Sequence, residues 1–448
     1  MRYTPHTPAD REHMLRAIGV DSIEALYRHI PENLRQRAKI DLPDGISELA
    51  VRKRLAALAA RNATAPDWSL FLGAGIYHHF IPAAVDAVIS RSEFSTSYTP
   101  YQPEVSQGTL QALFEYQTLI CQLTAMEVSN AAVYDAASAA AEAVLMSRRI
   151  QRDSRRRVLI SRALHPQYRA VIRSYLKNLK DVQTEEVPFD LQGGTDLEEL
   201  GRRLNDQSMC LVVGYPNFFG TIEDLASIKA LCSKSGAHLI SATGEALSLA
   251  LLQPPGEFGV DIAVGEGQSL GVPMSLGGPG FGFFACQKKF VRSIPGRLVG
   301  ETVDSDGRRG FVLTLATREQ HIRREKATSN ICTSQTLCAL AATVFMSLLG
   351  KSGLRHLAEV NALRAHHALT RLLETTRVQQ MFSAPFFNEF VLRVSDVEQL
   401  FTRCAGRRIV PGITLKNHYP ELADSVLLCI TEMNEREEIE QLVRTIAE

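Results

Sequence analysis

The spacing of apolar and polar positions along the 448 residues divides the chain into three regions. Over residues 1–64 the apolar positions recur at helical intervals. Thr7, Ser22 and Ser47 stand where side-chain caps open three amphipathic helices. The segment reads as a helical N-terminal arm that packs on the main body or on a second subunit.

Between residues 65 and 315 short apolar runs at 158–160, 209–213, 238–240, 261–264 and 281–285 alternate with helical patterns. These patterns lie at 111–123, 136–150, 166–177, 197–205 and 224–234. Strand and helix in alternation predict a mostly parallel sheet covered on both faces, an α/β architecture. Ligand sites in such sheets lie beyond the carboxyl ends of the strands. From 316 to 448 the pattern predicts helices at 318–349 and 354–375, strands at 387–394 and 426–430, and a closing helix from Asn434, which outlines a smaller α+β domain.

Composition narrows the function classes. With 45% hydrophobic and 22% charged residues the chain is an ordinary globular protein with a large core. Its 49 basic and 49 acidic residues cancel, so no overall field attracts nucleic acid or an anionic membrane. No apolar run approaches the roughly 18 residues of a membrane span, and the first residues are too polar for a signal peptide. The cysteines at 121, 210, 232, 286, 332, 338, 404 and 429 form no CxxC pair. A reducing cytoplasm, with cysteines as small core residues, is the expectation.

Three stretches carry candidate chemistry. Residues 98–108, with Tyr98, Tyr101 and Glu104, combine prolines, aromatics and polar side chains just before a helix, which exceeds what a simple connection needs. Small residues between Asn130 and Glu142, Ser138 among them, open a helix whose N-terminal amides favour an anion. The glycine-rich segment 261–282 contains Gln268, Pro273 and a Gly-Gly-Pro-Gly turn at 277–280. A metal site is not expected, because His78 and His79 are adjacent and their side chains diverge. Nor does any GxGxxG follow a strand to hold a dinucleotide.

Residues 98–108, 115–118, 130–142 and the run RREKATSNICT at 323–333 resemble the glycine decarboxylase P-protein family of the glycine cleavage system. That resemblance implies the aspartate-aminotransferase-like fold type I of pyridoxal-phosphate (PLP) enzymes. It also implies decarboxylation of glycine and transfer of its aminomethyl group to the lipoyl arm of the H-protein. PLP chemistry requires a lysine for the cofactor and usually an acid near the ring nitrogen. No lysine occurs between Lys234 and Lys288, and the resemblance sets Gln268 at the lysine position. The preceding strand offers no carboxylate before Glu245.

The resemblance therefore implies an alpha subunit with a degenerate lysine position and no catalytic residue of its own, working with a lysine-bearing beta subunit in an α2β2 particle. PLP would be held by the partner's lysine. Thr328, Ser329 and Asn330 match the family segment that reaches the partner's PLP phosphate in trans; the bland alternative has Thr328 capping a helix that continues through Thr333. Tyr98, Tyr101 and Glu104 would line the partner's substrate entrance. Arg323 and Arg324 suit an acidic partner or simple solvation, and His165 a helix-start role. The rival reading is a noncatalytic scaffold or regulatory pseudoenzyme with a vestigial pocket.

Overall fold

The computed structural model describes residues 5–38, 41–151 and 154–448. These belong to two compact units, Met1–Asn62 and Ala63–Glu448. In the first unit lie the helices Pro8–Ile18, Ile23–Leu26, Glu32–Arg37 and Glu48–Ala59, with Thr7, Ser22 and Ser47 as N-caps accepting from the amides of Asp10, Ala25 and Ala50. None of the four helices has a buried residue. Caps and spacing, not a core, define them.

A seven-stranded sheet forms the centre of the second unit, in the order Val128–Ser129, Gly282–Cys286, Ile262–Glu266, His238–Thr243, Ser208–Gly214, Arg157–Ser161, Gln183–Val187. The five strands from Ile262–Glu266 to the Gln183–Val187 edge run parallel; Gly282–Cys286 runs antiparallel to both its neighbours, so the short edge strand Val128–Ser129 points the same way as the five. Successive side chains point to opposite faces. Val158, Val212, Ile240 and Val264 pack beneath the helices Ala136–Ile150 and Pro166–Leu176. Leu159, Leu211, Val213 and Leu239 pack on the other face against the helices Gln107–Thr124 and Leu225–Ser235.

Strand Gln183–Val187 escapes the hydrophobic pattern because it is an edge strand with an exposed, polar first half. A second sheet, ordered Val378–Gln380, Glu389–Val394, Ser425–Cys429, Ile413–Thr414, is wholly antiparallel. The helices Val397–Gly406 and Arg436–Ala447 cover it with Leu400, Cys404, Ile439 and Leu442. Both expected terminal strands are present.

Of the helix expected from 318, only the short turns Gln320–Arg323 and Arg324–Lys326 form before 327; the long helix begins at Thr336 and runs to Leu373 with a break at Gly350, where φ is 60° and ψ −175°. Residues 327–335 hold no helix. Their run of Thr, Ser and Asn explains why, since such side chains bond the nearby backbone in place of the helical ladder. The Ser329 hydroxyl, for instance, accepts from Ile331 N at 3.1 Å. Thr336–Leu373 is long and apolar enough to cross a membrane, but Ala339, Ala342 and Phe345 on its first half are core residues of the large sheet.

Candidate functional site

The carboxyl ends of the parallel strands meet the segment Phe71–Phe80, and there the interior is filled. Gln268 follows the strand Ile262–Glu266 and is 2% exposed. Its Oε1 accepts from Tyr77 N at 2.8 Å, while its Nε2 donates to Tyr77 O at 3.0 Å and to Val272 O at 2.6 Å. A carboxamide presents an acceptor and two donors in one plane, so it pairs with a peptide unit as another peptide would. Both N–H donors of that side chain are used, and its carbonyl oxygen accepts a backbone N–H.

Tyr77, so fixed, donates its hydroxyl to Glu389 Oε2 at 2.9 Å, and Ala74 N meets the other oxygen at 2.6 Å. Burial pushes the Glu389 carboxyl up to about 7. Two residues on, His79 lies between carboxylates, its Nε2 2.9 Å from Glu245 Oε2 and its Nδ1 2.8 Å from Glu432 Oε2. Burial opposes charge on the ring, but Glu245 foremost and Glu432 with it raise His79 to about 10. Against its own burial, the hydrogen bond and charge of His79 bring Glu432 down to about 2. His79 is a buried imidazolium, and Glu245 is spent on it.

The helix start foreseen as an anion site is also occupied from within. Glu266 accepts from Ala136 N at 3.2 Å and from Phe281 N at 3.0 Å, and Asp135 caps the helix by accepting from Ser138 N at 2.7 Å. Burial pushes Glu266 up to about 8. Gly282 permits this approach, since a Cβ there would stand 2.5 Å from Asp135 O. His165, whose pKa burial lowers to about 4, accepts from Gln167 N at 3.1 Å and donates to Ala74 O at 2.8 Å. Its face stacks on Tyr168, with centroids 4.7 Å apart, so it serves the helix start.

Among Tyr77, His165, Tyr168, Asn217, Glu245 and Glu389 about 20 Å³ of space remains. That holds water, whereas small-molecule sites occupy roughly 300–1,000 Å³. PLP does not fit this chain: the residue at the strand end cannot form an imine, the helix start carries carboxylates, and the room is taken.

A different cluster forms at the surface, where the structure joins two stretches far apart in sequence. Tyr98, 72% exposed, accepts at its hydroxyl from Thr333 Oγ1 at 3.0 Å, and Thr99 Oγ1 lies 3.1 Å from Thr333 Oγ1. Tyr101 is half exposed, its hydroxyl accepting from Arg297 Nη2 at 2.7 Å and 3.8 Å from Cys332 Sγ. Cys332 N donates to Tyr134 OH at 3.2 Å. Glu104 is exposed on the short turn Pro103–Val105 close by in the chain.

Thr328 caps no helix, because none continues through Thr333. Its N–H donates to Arg318 O at 3.0 Å, and the Arg318 guanidinium holds the carbonyls of Ile294 and Gly296, the latter at 3.2 Å. Ser329 is half-buried; Asn330 is exposed, as are Arg323 and Arg324. Sequence reasoning passed over Arg297 and Thr333, the two residues that knit this cluster, because a single arginine before a strand carries no pattern.

Comparison with known proteins bears on this arrangement. The family model of the glycine cleavage system P-protein matches residues 1–446. The chain belongs to the glycine cleavage system P-protein family. The "probable glycine dehydrogenase (decarboxylating) subunit 1" of Geobacillus thermodenitrificans is 48% identical over 448 residues, covering 100% of this chain and 99% of that one. Its counterpart from Anaeromyxobacter dehalogenans is 52% identical over 431 residues, 96% of each chain.

Among solved structures, a glycine decarboxylase P-protein in inhibitor-bound form superposes with a TM-score of 0.91 at 42% identity, covering 100% of this chain and 99% of that one. A sphingosine-1-phosphate lyase from Burkholderia pseudomallei has the same fold, with a TM-score of 0.67, 15% identity and 93% of each chain covered. This P-protein chain has the fold of PLP enzymes of type I.

Two tests follow from the interior. Lysine offers only donors, so Gln268→Lys leaves Tyr77 N without its acceptor and buries a charge. We expect a loss of about 2–4 kcal/mol in urea unfolding and no gain of PLP on dialysis. The second concerns pH. Glu432, depressed from 4.5 to about 2, stabilises fully above pH 4.5 and loses that contribution as pH falls through 2. His79, raised from 6.5 to about 10, stabilises fully below pH 6.5 and loses its contribution as pH rises through 10. The stability gap between the unaltered chain and Glu432→Gln, about 3 kcal/mol, is expected widest at pH 4.5–6.5 and narrower beyond both flanks in unfolding titrations.

Proposed function

We propose that this chain is the alpha subunit of a two-chain glycine decarboxylase, completing the active site of a lysine-bearing beta subunit in an α2β2 particle. PLP, the electron sink for decarboxylating glycine, is held there by the partner's lysine. The complex then transfers the aminomethyl group to the lipoyl arm of the H-protein. The single observation that carries the reading is the state of Gln268: its amide is consumed by Tyr77 and Val272. Around it Glu266 and Glu245 are likewise consumed by internal partners.

The contribution of the chain lies at its surface. Tyr98, Tyr101 and Glu104 present hydroxyls and a carboxylate beside the partner's substrate entrance. Thr328 and Ser329 offer hydroxyls and Asn330 its amide to the partner's PLP phosphate, while the Thr328 backbone N–H is already taken by Arg318 O. The relatives named subunit 1 support the assignment to a two-chain enzyme.

Reconstitution tests the proposal. Alone with PLP, the chain is expected to yield no borohydride-trapped lysine adduct. With the lysine-bearing chain added, glycine–bicarbonate exchange should rise far above that of the added chain alone. A trapped adduct on this chain, or full exchange without it, overturns the reading; the latter favours a noncatalytic scaffold, which the filled pocket also suits.

Thr328→Ala removes one hydrogen bond to an anion. PLP affinity of the complex should fall about tenfold. Unchanged affinity and rate would remove the trans-phosphate role.

A further inference from the structure

Arg297 is a buried cation, 6% exposed, at the root of the surface cluster. Its backbone is tied to neighbouring structure: its carbonyl accepts from Ala131 N at 2.9 Å, and the strand Leu298–Val303 begins at the next residue. The side chain serves two segments of the cluster. Nη2 donates to Tyr101 OH at 2.7 Å and lies 3.7 Å from Cys332 Sγ. The guanidinium carbon stands 5.0 Å from the centroid of the Tyr101 ring, a cation–π contact.

Glu319, 8% exposed, balances the charge, with Oε2 3.5 Å from Arg297 Nε and 3.5 Å from His321 Nδ1. The His321 ring in turn meets Tyr101 edge-on at 5.7 Å. One guanidinium therefore sets the distance between two loops separated by more than 200 residues. Burying a cation is costly unless it is paired and hydrogen-bonded, and Glu319 and the Tyr101 hydroxyl supply those partners here.

We propose that Arg297 is a positioning residue, which fixes the Tyr101 hydroxyl and the Cys332 thiol in the geometry presented to the partner subunit. The inference rests on the reading that this surface completes the partner's site. Lysine cannot replace Arg297, because a compact ammonium lacks the planar fork that bonds Tyr101 while stacking on its ring.

The test uses the full chain with Arg297→Lys, Arg297→Met and the charge-balanced pair Arg297→Met with Glu319→Gln, the last guarding against misfolding from an orphaned carboxylate. In the chain alone, the rate at which iodoacetamide alkylates Cys332, followed on its peptide by mass spectrometry, should change about tenfold in all three. Circular dichroism should stay unchanged in the balanced pair. In the complex, with PLP saturating, kcat for glycine–bicarbonate exchange should fall about 100-fold, the scale of a misplacement near 1 Å. The dissociation constant of the two chains should move far less, and Arg297→Lys should not rescue kcat.

Unaltered kcat in the balanced pair overturns the proposal, and so does a fall in kcat without a change at Cys332. An unaltered chain that raises no exchange with the partner is a separate result: it removes the function reading and the positioning role with it. A changed alkylation rate would then report an anchoring contact only.

Discussion

The pairing of the Gln268 amide with the Tyr77 backbone is the contact on which the interior depends. It sets the segment Phe71–Phe80 across the ends of the parallel strands, and three further contacts follow from that placement. Tyr77 reaches Glu389, Ala74 N meets the same carboxylate, and His79 drops between Glu245 and Glu432. Glu389 opens a strand of the antiparallel sheet and Glu245 follows a strand of the parallel one. A side chain without both donor and acceptor could not start this chain of contacts.

The interior is therefore specialised for closure. Gln268, Glu245, Glu266 and Asp135, at the strand ends and the helix start, are each turned inward on another part of the same chain. Buried ions are tolerable only when paired and hydrogen-bonded, and His79 with its two carboxylates meets that condition. Glu266 meets burial differently: with no cation beside it among the described residues, its pKa is pushed up to about 8, and its carboxyl takes the first amide of the helix Ala136–Ile150 that an external anion would otherwise find.

The outer surface is built on the opposite plan. Tyr98, Tyr101, Glu104 and Asn330 are exposed, and the hydroxyls of both tyrosines are held by protein groups. Ordered polar groups at a surface retain hydrogen-bonding capacity at little further entropic cost, which suits presentation to a second protein. The two regions are thus built oppositely: the interior satisfies its polar groups within the chain, while the surface cluster holds its hydroxyls in place and leaves them facing outward.

Much of this was legible in the chain. Short apolar runs specified five of the seven strands of the large sheet, the caps Thr7, Ser22 and Ser47 specified three helices, and the absence of lysine from 235 to 287 was plain in the chain itself. The polar edge strand Gln183–Val187 and the non-helical stretch 327–335 were not, since edge exposure and local Ser/Thr bonding override periodicity. Sequence alone determined that residue 268 cannot hold an aldehyde cofactor, because that is a property of the amide group. Only the tertiary structure decided what the amide does instead, and that Arg297 joins Tyr101 to Cys332, because a hydrogen bond between residues 191 or 196 positions apart depends on where the fold brings them together.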